Sequence, residues 1–186
     1  TAEEFTHHLV TCAVCTQQGF YSRHQAVVNA IRATLRFHGI HSYIPLQTEL
    51  PLPDASKGGP DLMVLAKTTD AVDVSIAATK NPAPGENIRD VLQERFMQKV
   101  RKYEKFAEKT DYRVVPFVLS IYGLVCKSTR DLLGSWKAVA QDFSFIYDLY
   151  NNVQMSLIRA QHEMVKFVEN KSKLMEAKKR WEGTVR

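Results

Sequence analysis

Apolar residues at Ala26, Val27, Ala30, Ile31 and Leu35 recur three and four positions apart, which predicts a first helix over 21–37 with Gly39 as its stop. A short extended segment over 43–46 follows, and the proline- and glycine-bearing stretch 51–60 reads as a loop. Strands are predicted over 61–66 and 71–77, joined by a polar turn over 67–70. In the second of them Val72, Val74 and Ile76 alternate with Asp73 and Ser75, so Asp73 turns away from the more apolar face. Two prolines and a glycine break the pattern over 81–85, after which 86–109 reads as one long amphipathic helix carrying Leu92, Phe96, Val100, Tyr103 and Ala107 on one face. Residues 114–122 are apolar and β-branched, as in a buried strand, but Pro116 moves that strand toward an edge or a bulge. Helices over 129–140 and 145–181 close the chain, the last with Ile146, Leu149, Val153, Leu157, Ala160, Met164, Phe167 and Met175 in register. The order is that of an α/β domain.

At 186 residues, 45% apolar and 24% charged, the chain is long enough for one sizeable core. Its formal charge of +5 favours an acidic partner such as nucleic acid. No apolar run approaches the roughly 20 residues of a membrane span, and the opening TAEEFTHH lacks the basic and apolar regions of a signal peptide. An intracellular protein, or a piece of a longer polypeptide beginning at Thr1, is the expectation. Cys12, Cys15 and Cys126 make no disulfide framework and read as reduced thiols, Cys126 in the core. Beyond Glu169 the last helix turns basic, with Lys171, Lys173, Lys178, Lys179 and Arg180, which suits either a nucleic-acid backbone or a solvated tail.

The segment from Gly58 to Lys80 sets two carboxylates, Asp61 and Asp73, on successive strands. Two acidic groups so placed can share a divalent cation, as metal-assisted phosphodiester hydrolysis requires. Taken singly, each has a plainer reading: Asp61 as a turn residue, Asp73 as a strand residue paired with a surface cation. Lys99 changes the weighing. Stepping about 100° per residue from Phe96 leaves Val100, Tyr103 and Ala107 within about 40° of it, and Lys99 about 60° off, beside the apolar stripe. A lysine facing a sheet needs an anionic partner or must snorkel outward.

Pro60-Asp61, the eleven residues to Asp73, the Asp73-Val74-Ser75 strand, the later run Lys99-Val100-Arg101-Lys102-Tyr103, and Arg23-His24 carry a resemblance over about residues 7–168. The chain resembles the PD-(D/E)xK nuclease superfamily, and more narrowly the restriction-enzyme-like endonuclease domain of site-specific non-LTR retrotransposons. The resemblance implies a restriction-endonuclease-like core of helix, three strands, helix and strand with additional C-terminal helices. It implies Asp61 and Asp73 as ligands of Mg²⁺ or Mn²⁺, with the Val74 carbonyl as a further one, and a catalytic lysine on the following helix, Lys99 or Lys102. Arg23, His24 and Lys102 are then nucleic-acid contacts. Ser75 stands where the superfamily's strand lysine usually lies, and Gly59 where a basic residue commonly precedes the PD pair. The implied function is a DNA endonuclease that nicks target DNA for a reverse transcriptase in the same polypeptide, acting in the nucleus.

His7, His8, Cys12 and Cys15 are four zinc-ligand types within nine residues. The resemblance adds that such domains carry a zinc knuckle ending in His-x4-Cys, the spacing of His7 and Cys12, so residues 1–19 would be the remnant of a knuckle and 20–186 the nuclease-like domain. Zinc would bind only with the upstream half present. Two rival functions stand: a nuclease-fold module without catalysis that binds nucleic acid or acts as a scaffold, and a helical interaction domain built on 145–181.

Overall fold

The computed structural model describes residues 13–46, 59–77, 87–140 and 142–184. Helix α1 spans Ala13–Phe37, eight residues earlier in its start than the apolar periodicity predicts, and runs through the expected domain boundary at residue 19. Its end is a Schellman turn: Ile40 N–H donates to Leu35 O at 2.8 Å and Gly39 N–H to Arg36 O at 3.1 Å, with Gly39 at φ +74°. Strands β1 (His41–Tyr43), β2 (Leu62–Leu65) and β3 (Thr69–Ala77) form an antiparallel meander. Helix α2 (Ile88–Lys102) and the short α3 (Glu104–Ala107) then cross over to β4 (Arg113–Ser120), which pairs parallel with β3. Helices α4 (Lys127–Ala140) and α5 (Phe145–Thr184) complete the chain.

The sheet order is β1-β2-β3-β4, so β3 is interior and β4 an edge, as Pro116 predicts. On that outer edge Val118 N–H donates to Thr129 Oγ1 at 3.2 Å, and Pro116, two residues earlier, has no N–H to satisfy. One sheet face carries the main core. There Val72, Val74, Ile76, Val115, Phe117 and Leu119 pack with Val27, Ile31 and Leu35 of α1, Leu133 and Trp136 of α4, and Leu149, Val153 and Leu157 of α5. Asn152 Nδ2 donates to Thr34 Oγ1 at 2.9 Å between α5 and α1, and His38 is buried between Asp142 and Asp148, 2.7 and 3.1 Å from their carboxylates. The opposite face is thinner: Met63 and Ala71 meet Tyr103 and Phe106, while Leu92 meets Val118 and Cys126.

Two sequence expectations are corrected. The helix expected over 86–109 starts at Ile88, capped by Asn87 Oδ1 accepting from Arg89 N–H at 3.0 Å, and breaks at Tyr103, whose φ of −100° and ψ of 6° leave the helical region. The break turns both Tyr103 and Phe106 onto the sheet. Asp70, expected in the turn before β3, lies within β3 and is fully buried. It accepts both prongs of Arg113 at 2.8 and 2.7 Å and Trp136 Nε1–H at 2.8 Å, a set of partners from β4 and α4 that a local reading cannot supply. Among the described residues no helix is long and apolar enough to cross a membrane.

Candidate active site

The site lies just before the start of β2. Leu62 pairs with Val72 and Met63 with Ala71, which brings Asp61, one residue before β2, alongside the stretch of β3 that carries Asp73. Asp61 N–H still donates to Val72 O at 2.8 Å, but Pro60 before it has no N–H to extend the ladder. The next peptide group of β3, at Val74, therefore takes side chains as partners. Its N–H donates to Asp61 Oδ2 at 2.7 Å, and its carbonyl lies 3.1 Å from His24 Nε2, which is also 3.2 Å from Asp61 Oδ2. The bond to Asp61 is the main reason that the His24 pKa is raised; the charges of Asp61 and Asp73 and the Val74 carbonyl act in the same direction, against burial.

Asp73 is the buried member, 4% exposed. Tyr103 O–H donates to its Oδ1 at 2.6 Å, Lys99 Nζ lies 2.7 Å from its Oδ2, and Lys102 Nζ lies 3.9 Å from its Oδ1. The Lys99 contact is an ion pair off hydrogen-bonding geometry, so Oδ2 is a buried carboxylate oxygen without a directed hydrogen bond. Burial, then the charge and hydrogen bond of Asp73, push the Tyr103 phenol far up, so it remains a donor. Lys102 Nζ donates to the Tyr103 oxygen at 3.1 Å and sits 4.6 Å from the ring centre. Burial pulls the Lys102 pKa down; Lys99 and Arg95 add to this, and Asp73 and Asp61 oppose it.

Asp61, Asp73, Lys99, Lys102 and His24 thus come together from α1, β3, α2 and the start of β2. Arg23, their neighbour in sequence, lies inside the fold at 1% exposure, and desolvation lowers its pKa. His7 and Cys12 lie outside the described residues. Two participants were missed in the sequence. Tyr103 reads there as a core aromatic, with its place in the run Lys99-Val100-Arg101-Lys102-Tyr103 as the available signal. Arg95 donates from Nε to Ser75 Oγ at 3.2 Å, and its signal is a spacing of four from Lys99.

The donor set suits a hard cation with oxygen ligands: Asp61, Asp73 with its undirected Oδ2, and the Val74 carbonyl. It brings two acidic groups and a carbonyl; among the described residues no three His, Cys, Asp or Glu side chains cluster to hold a metal. Neither protein-family models nor curated proteins match the chain.

Proposed function

We propose that this chain is a metal-dependent DNA endonuclease with a restriction-endonuclease-like core, which nicks target DNA to prime a reverse transcriptase carried on the same polypeptide in the nucleus. The observation that carries the reading is the convergence of Asp61, bonded to the Val74 N–H, with the adjacent β3 residue Asp73, and Lys99 Nζ 2.7 Å from that buried carboxylate. The element order of helix, antiparallel meander, crossover helix and parallel strand supports the fold assignment.

Asp61, Asp73 and the Val74 carbonyl would hold Mg²⁺ or Mn²⁺, which when bound lowers the pKa of a water ligand and neutralises charge on the scissile phosphate. The chain's own groups do the rest. Tyr103 O–H fixes one oxygen of Asp73 and leaves the other facing Lys99. Lys99, a cation on a helix anchored to the sheet, stabilises negative charge building on the phosphate or orients the attacking water. Lys102 lies 3.9 Å from the same carboxylate and is the alternative for that role. His24 holds Asp61 and the Val74 carbonyl from the α1 side.

Ser75 in the position of the usual strand lysine favours the second reading, a module that binds nucleic acid without cutting it. Plasmid nicking with Mg²⁺ or Mn²⁺, parent against Asp73→Ala, separates the two. The nuclease reading expects relaxed product from the parent and none from the variant; equal products, or none from either, overturn it.

A further inference from the structure

We propose that Arg95, tethered by Ser75, is a second phosphate-binding subsite, for the DNA backbone about one nucleotide from the phosphate at Lys99; this rests on the reading of the site as one that takes DNA. Arg95, Lys99 and Lys102 are four and three residues apart on α2, so at about 100° per residue Lys99 and Lys102 fall within about 40° of Arg95. They form one stripe along the sheet. On β3, Ser75 is two residues beyond Asp73 and on the same face. The contacts pair up in antiparallel order, Lys99 with Asp73 and Arg95 with Ser75. Four helical residues rise about 6 Å, and two strand residues about 6.8 Å. The two elements therefore present matching rungs.

The rungs differ in charge. At the first, a lysine meets a carboxylate. At the second, the guanidinium meets only neutral acceptors among the described residues: Ser75 Oγ at 3.2 Å from Nε and Gln98 Oε1 at 3.3 Å from Nη1. The adjacent Glu94 carboxylate accepts from Gln98 Nε2 at 3.3 Å instead. Ser75 is 5% exposed whereas Arg95 is exposed, so the tether lies in the fold and the fork's terminal nitrogens lie at the surface. A planar fork held by Nε, with Nη1 at the surface beside Gln98, suits two oxygens of a phosphodiester.

The test is the affinity of the full chain for a fluorescent 20-base-pair duplex, by anisotropy with Ca²⁺ in place of Mg²⁺, over a salt series. Arg95→Ala should weaken binding about tenfold or more and reduce the slope of log K against log salt by about 0.9. Arg95→Lys should keep the slope and lose part of the affinity, because it keeps the charge without the fork. Ser75→Ala should weaken binding a few-fold at unchanged slope. Thermal melting of each variant accompanies the binding data, and Arg95→Gln repeats the charge loss should the alanine variant not fold. Parental affinity and slope in Arg95→Ala or Arg95→Gln overturn the subsite, and the nuclease reading stands if Asp73→Ala still abolishes nicking. A parent that binds the duplex without nicking, with the predicted loss in Arg95→Ala, keeps the subsite and removes the nuclease reading. A parent that does not bind the duplex overturns the subsite.

Discussion

Replacing Tyr103 with Phe removes the hydroxyl that ties the centre of the site together. The ring keeps its place against Phe106 and Met63, so no cavity opens; lost are the short O–H bond to Asp73 Oδ1 at 2.6 Å, which dominates, the 3.1 Å approach to Gly59 O, and the oxygen that accepts from Lys102 Nζ at 3.1 Å. Asp73 is buried, and after the change Oδ1 keeps only Lys102 Nζ at 3.9 Å. A hydrogen bond to a charged group contributes about 1.5–3 kcal/mol. A chain of this size loses about 2–4 °C of melting temperature per kcal/mol, so Tyr103→Phe should melt roughly 3–12 °C below the parent. If Asp73 holds the cation as proposed, removing the group that orients it also weakens metal affinity or activity by about 10–100-fold. Calorimetric titration with Mn²⁺ and the Mg²⁺ dependence of nicking should both shift by that order, with DNA affinity little changed because the phenol meets no phosphate. A variant that melts with the parent and binds Mn²⁺ as the parent does would show that the phenol does not hold Asp73.

Lys99→Ala should lower nicking by about a hundredfold or more at near-parental DNA affinity, while Lys105→Ala does little; a dead Lys102→Ala beside an active Lys99→Ala transfers the role to Lys102. Asp70→Ala leaves the buried Trp136 indole N–H unpaired and Arg113, itself exposed, without its carboxylate, and should cost about 1–3 kcal/mol, read by urea denaturation; no measurable loss would mean that water replaces the carboxylate. The Asp142 carboxyl is held below its ordinary range, chiefly by the Ser144 backbone N–H and then by the Ser144 and His38 side chains. A depressed carboxyl adds stability that is present above its unfolded value of about 3.9 and fades as pH falls through the lower folded value. Asp142→Asn should flatten the acid limb of a melting-temperature profile in that window, and an unchanged limb would remove Asp142 from the account.

The parts of this fold that were legible in the sequence are those set by local period. Alternation of Val72, Val74 and Ile76 with Asp73 and Ser75 assigns the faces of β3 without knowledge of its neighbours, and helical phase turns Lys99 toward the sheet. Pro116 marks the edge strand through its own missing N–H. What escaped depends on contacts made across the chain. Asp70 looks like a turn residue because Arg113 and Trp136, which make its burial tolerable, are 43 and 66 residues away. The break at Tyr103 has no proline or glycine to announce it, and follows from two aromatic rings three residues apart both packing on the sheet. Arg95 looks like any solvated helix charge until Ser75 is found beneath it.

The start of β2 only after Pro60 gives this sheet an uneven stiffness. The Val72 peptide is bound into the ladder, whereas the Val74 peptide on the same edge is held by a carboxylate and an imidazole that swing on single bonds. Opening at Val74 takes two side-chain rotations and leaves the rest of the ladder closed, so its amide should exchange with deuterium well before that of Val72. The chain can rearrange the oxygens around Asp61 at little cost to the whole domain, and ordering that one peptide is where a bound cation would register as slowed exchange.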